Sequence, residues 1–274
     1  MRAYQIWKVA IMGIFLMSCT AAAFAEEPAA PQKEPDPLVV LKKACAYLKS
    51  LDQFSFHSEV MDEQVYYQGR KLQYGIEMDT FVKRPDMLRV NAVGDIVNRQ
   101  FFFNGKTITL YDKDAKIFAA MDVPPDIEAA LEKANKEFGV RVALTDLASP
   151  ELWDLVSKKI EHSLYVGMSE VRGVPCYHLA FDNNDVNLQV WIDTGTKPLP
   201  RKIVLNYKKL EGSPEWTAYL SHWKTSAHLA TAMFNFVPPS GVEKVKFLAA
   251  AKPSISGEKM EKPSAPGEKT GGNS

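Results

Sequence analysis

Cys176 and His178 are the residues of this 274-residue chain best placed to do chemistry, standing at i and i+2 in Val174-Pro175-Cys176-Tyr177-His178-Leu179-Ala180-Phe181. In an extended strand that spacing puts a thiol and an imidazole on one face. Such a pair offers two ligands to zinc, or half of a nucleophile-and-base arrangement. A zinc site wants three or four ligands, and nothing in the spacing brings His222 or His228 beside the pair. Asp182, Asp185 and Asp193 fall in and around turns, where a carboxylate bonds nearby backbone amides, so they do not read as two acids aimed at one cleft. There is no Gly-x-Ser-x-Gly elbow, no phosphate-cradling glycine loop, no His-Glu-x-x-His and no Cys-x-x-Cys-His. No cofactor or metal is called for. The residues read as those of a non-catalytic protein in which His178 is half-buried and hydrogen-bonded within a sheet.

The elements that would position these side chains carry a stronger signal. Val186, Leu188, Val190 and Ile192 share one face of a strand, with Asn187, Gln189, Trp191 and Asp193 on the other, and Ile203, Leu205 and Tyr207 repeat the pattern. Period-two alternation of this kind predicts one continuous apolar sheet face. A helix laid flat on that face makes an ordinary core. A curved sheet loosely covered by helices makes a pocket for an apolar ligand instead. The pattern alone leaves both open.

Along the chain, Arg2 and Lys8, an apolar stretch from Val9 to Met17 and Ala23-Phe24-Ala25 have the three-part layout of a signal peptide over residues 1–25. Leu16-Met17-Ser18-Cys19 offers a rival route, lipidation at Cys19, which would give the chain a membrane contact it otherwise lacks. A polar, proline-rich leader (26–35) precedes a single domain expected over 36–250, and the Lys-Pro-Ser-Gly-rich tail over 251–274 reads as disordered. Asp36-Pro37 starts a helix whose apolar face is Leu38, Leu41, Cys45, Leu48 and Leu51. From Phe54 to Pro124 the texture is β, with three or more strands, and Asn104-Gly105 marks a tight two-residue hairpin. Ile127, Leu131, Ala134 and Phe138 mark a second helix closed by Gly139, and Leu152, Trp153 and Val156 a short third. About five more strands follow between Ser163 and Phe236 in a meander.

Cleavage after Ala25 removes two positive charges from a balance of 33 Lys+Arg and 33 Asp+Glu, leaving 31 against 33. A net charge of −2 lacks the basic footprint of a nucleic-acid binder. Cys45 and Cys176 remain; an oxidising compartment lets them pair if the fold brings them together, and otherwise they pack as small hydrophobes.

Several stretches in order then resemble known families. Lys83-Arg84-Pro85-Asp86-Met87-Leu88-Arg89-Val90 and Phe234-Asn235-Phe236-Val237-Pro238-Pro239 with Gly241 are similar to segments of the periplasmic lipoprotein carriers of the LolA/LolB type. Asn104-Gly105-Lys106-Thr107, Cys176–Phe181, Trp191-Ile192-Asp193 and Pro198–Lys202 resemble DUF2092, a bacterial family of unknown function, over 37–248. The resemblance implies an α+β fold: a strongly curved antiparallel β half-barrel with helices covering the concave face, in the periplasm, enclosing a cavity for acyl chains. It implies a hydrophobic or lipid ligand, lipoprotein acyl chains among the candidates. The arginine by which those carriers gate lipid release is matched to no residue here. The expected lining is Leu188, Val190, Ile203 and Leu205, with Phe101, Phe103, Tyr219 and Phe236 as further candidates. A second reading keeps the fold but fills the core, leaving a partner-binding or sensor module; a cavity below ~300 Å³ would favour it.

Overall fold

The computed structural model describes residues 34–247, so the expected signal peptide, Cys19, most of the leader and the tail lie outside the described residues. Helix α1 (Pro37–Lys49) begins where Asp36 accepts from the amides of Leu38 at 2.8 Å and Val39 at 3.3 Å, with Pro37 at the first position, where no amide is needed. Its buried stripe is Val40, Leu41, Ala44, Cys45 and Leu48. Leu38, expected on that stripe, is 36% exposed. At 100° per residue it falls roughly 90° from the centre of the stripe.

Strands β1 (Gln53–Tyr66), β2 (Arg70–Lys83), β3 (Met87–Gly94), β4 (Val97–Phe103), β5 (Thr107–Asp112) and β6 (Ile117–Asp122) form the first meander. After Pro124-Pro125 come α2 (Ile127–Phe138), a 3-10 turn at Thr145–Ala148 and α3 (Leu152–Ser157). The second meander is β7 (His162–Val171), β8 (Val174–Asp182), β9 (Val186–Asp193), β10 (Pro200–Tyr207) and β11 (Glu215–Lys224), and the short β12 (Glu243–Val245) comes last. The twelve strands of the described residues form one open, curled sheet in the order β12-β6-β5-β4-β3-β2-β1-β11-β10-β9-β8-β7. Every pairing is antiparallel except β12 on β6. The two meanders therefore meet at β1 and β11, the first and last long strands.

Turn chemistry fixes the registers. Asp126 caps α2 by accepting from Glu128 and Ala129 amides, and Gly139 ends it at φ 67°. The hairpin at Asn104-Gly105 differs in detail from expectation. Phe103 pairs with Ile108, so the central turn residues are Gly105 and Lys106, and of the two only Gly105 has a positive φ, 85°. Asn104 contributes its side chain, whose Oδ1 accepts from the amides of Lys106 and Thr107.

Alternation sorts side chains onto two faces. Phe54, Phe56, Val60, Val82, Leu88, Val90, Phe101, Phe103 and Ile108 point inward with Leu179, Val190 and Ile192, beneath α1 and α2. α1 packs on α3, β7 and β9. On the outer face a satellite core gathers Val171, Cys176, Trp191 and Val204, flanked by Val174 and Tyr219. The chain after β11 also runs over this face, where Phe236 sits 5.0–5.4 Å from the rings of Phe102, Tyr111 and Phe118.

Candidate functional site

The sheet's concave side is filled unevenly. Over β3 to β5 the inward side chains close solidly, and Phe101 and Phe103 are 2% and 1% exposed. Over β9 and β10 the helices stand off, leaving a cavity of about 1000 Å³. Its floor is Leu188, Val190 and Ile192 from β9 and Ile203 and Leu205 from β10; its roof is Leu41, Cys45 and Leu48 from α1, Leu131 from α2 and Leu152 and Val156 from α3. The alternation that puts Asn187 and Gln189 outward makes the floor apolar. The turn before α3 and α3 itself complete the roof with Leu144, Leu147 and Leu155.

Polar groups line the cavity at two places: Glu128, Glu132, Thr145, Asp146 and Ser149 on the helical side, and a second set at the end where β1 and β10 leave it. Asp62, Asn135, Arg141 and Tyr207 line that end. The Arg141 Nε donates to Asn135 Oδ1 at 3.0 Å. Burial pushes the Tyr207 hydroxyl above its ordinary pKa, the Asp62 charge adds to the rise, and Arg141 opposes it. Tyr207 therefore stays a neutral hydroxyl at the boundary between apolar floor and solvent.

The roof is tied to the sheet by a residue whose role the sequence did not disclose. Arg84, in the β2–β3 turn, donates from Nε to Ala148 O at 2.8 Å, from Nη1 to Leu48 O at 2.8 Å and to Leu51 O, and from Nη2 to Leu147 O at 3.4 Å. It lies 5.3 Å from the Phe54 ring centre. One guanidinium thus holds the end of α1 and the 145–148 turn, both roof elements. Burial lowers its pKa and the Asp52 charge counters this. The available signal was the Lys83-Arg84-Pro85 run, which marks a turn but not what the turn reaches.

Four expected lining residues, Leu188, Val190, Ile203 and Leu205, come together on the cavity floor. Phe101 and Phe103 share the concave face but lie in the closed core, several strands away. Tyr219 and Phe236 are on the opposite side of the sheet. Tyr219 pairs with Lys202, the outward neighbour of Ile203, so register sends it out; there Arg172 lies 4.5 Å and Lys202 5.2 Å from its ring. Phe236 follows the chain's crossing of the outer face.

Cys176, His178, Asp182, Asp185 and Asp193 lie outside the cavity, each with a partner of its own. His178 stacks on Trp191 at 4.0 Å, and its Nε2 is 2.9 Å from Gln189 Oε1. Cys176 is fully buried, and desolvation, reinforced by the Asp193 charge, pushes its thiol to about 11. Cys45 is likewise pushed to about 11 by burial. Both thiols are free, one roofing the cavity and the other on the outer face, with the sheet between them. Asp182 contacts His162, Asp185 pairs with Lys209, and Asp193 pairs with Arg201 at 2.6 Å. Among the described residues no three His, Cys, Asp or Glu side chains are grouped to hold a metal.

A family model described as "Predicted periplasmic protein (DUF2092)" matches residues 38–248. No functionally curated sequence matches significantly. Among solved structures, the Mycobacterium tuberculosis lipoprotein LppX is 15% identical, covering 72% of this chain and 100% of its own, with a TM-score of 0.44. An uncharacterised conserved protein of Thermus thermophilus is 9% identical, covering 76% and 97%, at 0.44. A LolA superfamily protein of Nitrosomonas europaea is 12% identical, covering 74% and 99%, at 0.35. Likenesses at this level carry no functional weight.

Proposed function

The chain belongs to the DUF2092 family of predicted periplasmic proteins, and from that membership we propose that it is a periplasmic binding or carrier protein holding an apolar, acyl-bearing ligand between β9–β10 and the three helices. The observation that carries this reading is the cavity of about 1000 Å³ with a leucine, isoleucine and valine floor. That volume stands at the upper end of small-ligand pockets, ~300–1,000 Å³, and well above the size at which a filled-core module would be the better account. Burial of an acyl chain of about 14 methylenes contributes roughly 11 kcal/mol before ordering costs are subtracted. An unoccupied cavity of that size would leave the same wall area facing water. Asp62, Arg141 and Tyr207 suit the role of rim for a ligand with one apolar and one polar end.

Organic extraction of the purified mature chain followed by mass spectrometry tests this. Recovery of stoichiometric lipid, or reloading of delipidated protein with a fluorescent fatty acid, is expected. A lipid-free protein with no affinity for the probe overturns the reading.

A further inference from the structure

β1 and β2 are each 14 residues long and pair along their whole length, from Gln53 with Lys83 to Tyr66 with Arg70. Their neighbours stop early. β3 reaches only Ile76, and β11 only Asp62. Residues 63–73 therefore form a two-stranded arm projecting past the body of the sheet. Asp62, which lines the cavity end, pairs with Tyr74; beyond that pair the same face carries Gln64 with Leu72 and Tyr66 with Arg70. The arm's inner face is thus a continuation of the cavity wall.

Large apolar side chains are exposed on the arm, with Tyr67 86%, Leu72 46% and Tyr66 44% accessible. The loop after β10 abuts it: Lys71 Nζ reaches Ser213 O at 3.4 Å, and a Cβ added at Gly212 would stand 3.1 Å from Val65. That loop exposes Leu210 at 57%. The two turns carry four cations, Arg70, Lys71, Lys208 and Lys209; Lys71 pairs with Glu63 and Lys209 with Asp185, while Arg70 and Lys208 have no ion-pair partner among the described residues. Exposed tyrosines beside unpaired cations match the chemistry of a bilayer's headgroup region, where aromatic rings bridge oil and water and cations meet lipid phosphates. A two-stranded ribbon alone in water gains little from exposing such side chains.

We propose that the β1–β2 arm and the adjoining β10–β11 loop dock on a lipid bilayer surface, so that an acyl chain passes between membrane and cavity along the arm's inner face. The proposal rests on the cavity reading but does not need lipid at Cys19. Flotation of the mature chain with protein-free vesicles of phosphatidylethanolamine and phosphatidylglycerol tests it, comparing the wild type with a Tyr67→Ser/Leu210→Ser variant. The variant is expected to lose vesicle binding by about tenfold, since two apolar anchors are removed from the interface. It should bind a water-soluble fluorescent dodecanoate with unchanged affinity, because neither residue lines the cavity. Its unfolding midpoint should also be unchanged, since both side chains are exposed. Wild-type protein that binds dodecanoate but ignores vesicles overturns the docking and leaves the cavity reading standing. Equal flotation of the variant overturns it too, as does binding only to vesicles that contain a membrane protein. Loss of dodecanoate binding by the wild type itself would strike the cavity reading instead.

Discussion

Replacing Arg84 with methionine should cost stability out of proportion to one partly exposed side chain. The methionine can refill the space against Phe54 but donates nothing to Leu48, Leu51, Leu147 and Ala148 carbonyls. Leu48 O keeps another donor, the amide of Leu51, and the Leu147 contact is long at 3.4 Å. The loss therefore falls mainly on Ala148 and Leu51. Hydrogen bonds to a charged donor are worth about 1.5–3 kcal/mol each, so two give roughly 3–6 kcal/mol. Releasing the guanidinium from its desolvated site returns part of this, leaving about 2–4 kcal/mol. Urea unfolding followed by tryptophan fluorescence should show a midpoint lowered by about 1 M at unchanged slope. Arg84→Lys should fall between, because an ammonium cannot serve carbonyls that diverge around a planar fork. Amide exchange should speed up first at the end of α1 and across 145–148. A methionine variant within about 0.5 kcal/mol of the wild type, a shift usual for neutral surface changes, would refute the account of Arg84 as the tie between roof and sheet.

Other outcomes follow from the two faces of the sheet. Leu205→Asn, on the cavity floor, should weaken fatty-acid probe binding by about tenfold or more, given ~1.5–3 kcal/mol for burying such a side chain against ligand, whereas Tyr219→Ala on the outer face should leave it unchanged in the same fluorescence titration. Cys45 and Cys176 titrate at about 11 in the folded chain, against 9.0 for an unperturbed thiol. Folded pKa values raised above the unfolded value hold protons that the unfolded chain releases, so this stability is complete below pH 9 and declines as pH climbs toward 11. Urea midpoints measured across that window should fall with pH, and a Cys45→Ala/Cys176→Ala variant should fall less; an identical decline in both would remove the cysteines from the explanation.

Local signals were legible where one residue decides the outcome. Asp36-Pro37 starts α1, Gly139 ends α2, and the alternation through Val186–Asp193 gives the floor of the cavity. Side-chain alternation says that Tyr219 and Ala218 face opposite ways, but which of them faces inward depends on the pairing of β11 with β10, a contact between separate strands. Phe236 was harder still, because its segment crosses a sheet face instead of pairing in it. Phe101 and Phe103 lie on the concave face in its closed part, and periodicity carries no measure of how far a roof helix stands from a strand, so it does not separate closed core from open cavity. The reach of Arg84 joins parts of the chain 33 to 64 residues away, a span no local window contains.

The sheet's two outermost strands, β12 and β7, never meet. In a closed barrel, strand number and shear together set the radius, so internal capacity is fixed by the hydrogen-bond ladder. Here no ladder closes the ring. Curvature can relax or tighten by small changes of twist distributed over eleven strand pairings without breaking any of them. Capacity is then set by how closely three short helices settle onto β9 and β10. On the proposed carrier reading, a container of that kind would grade its grip by ligand bulk, admitting chains of differing length with a gradual change in affinity, where a rigid cylinder would impose a sharp cut-off.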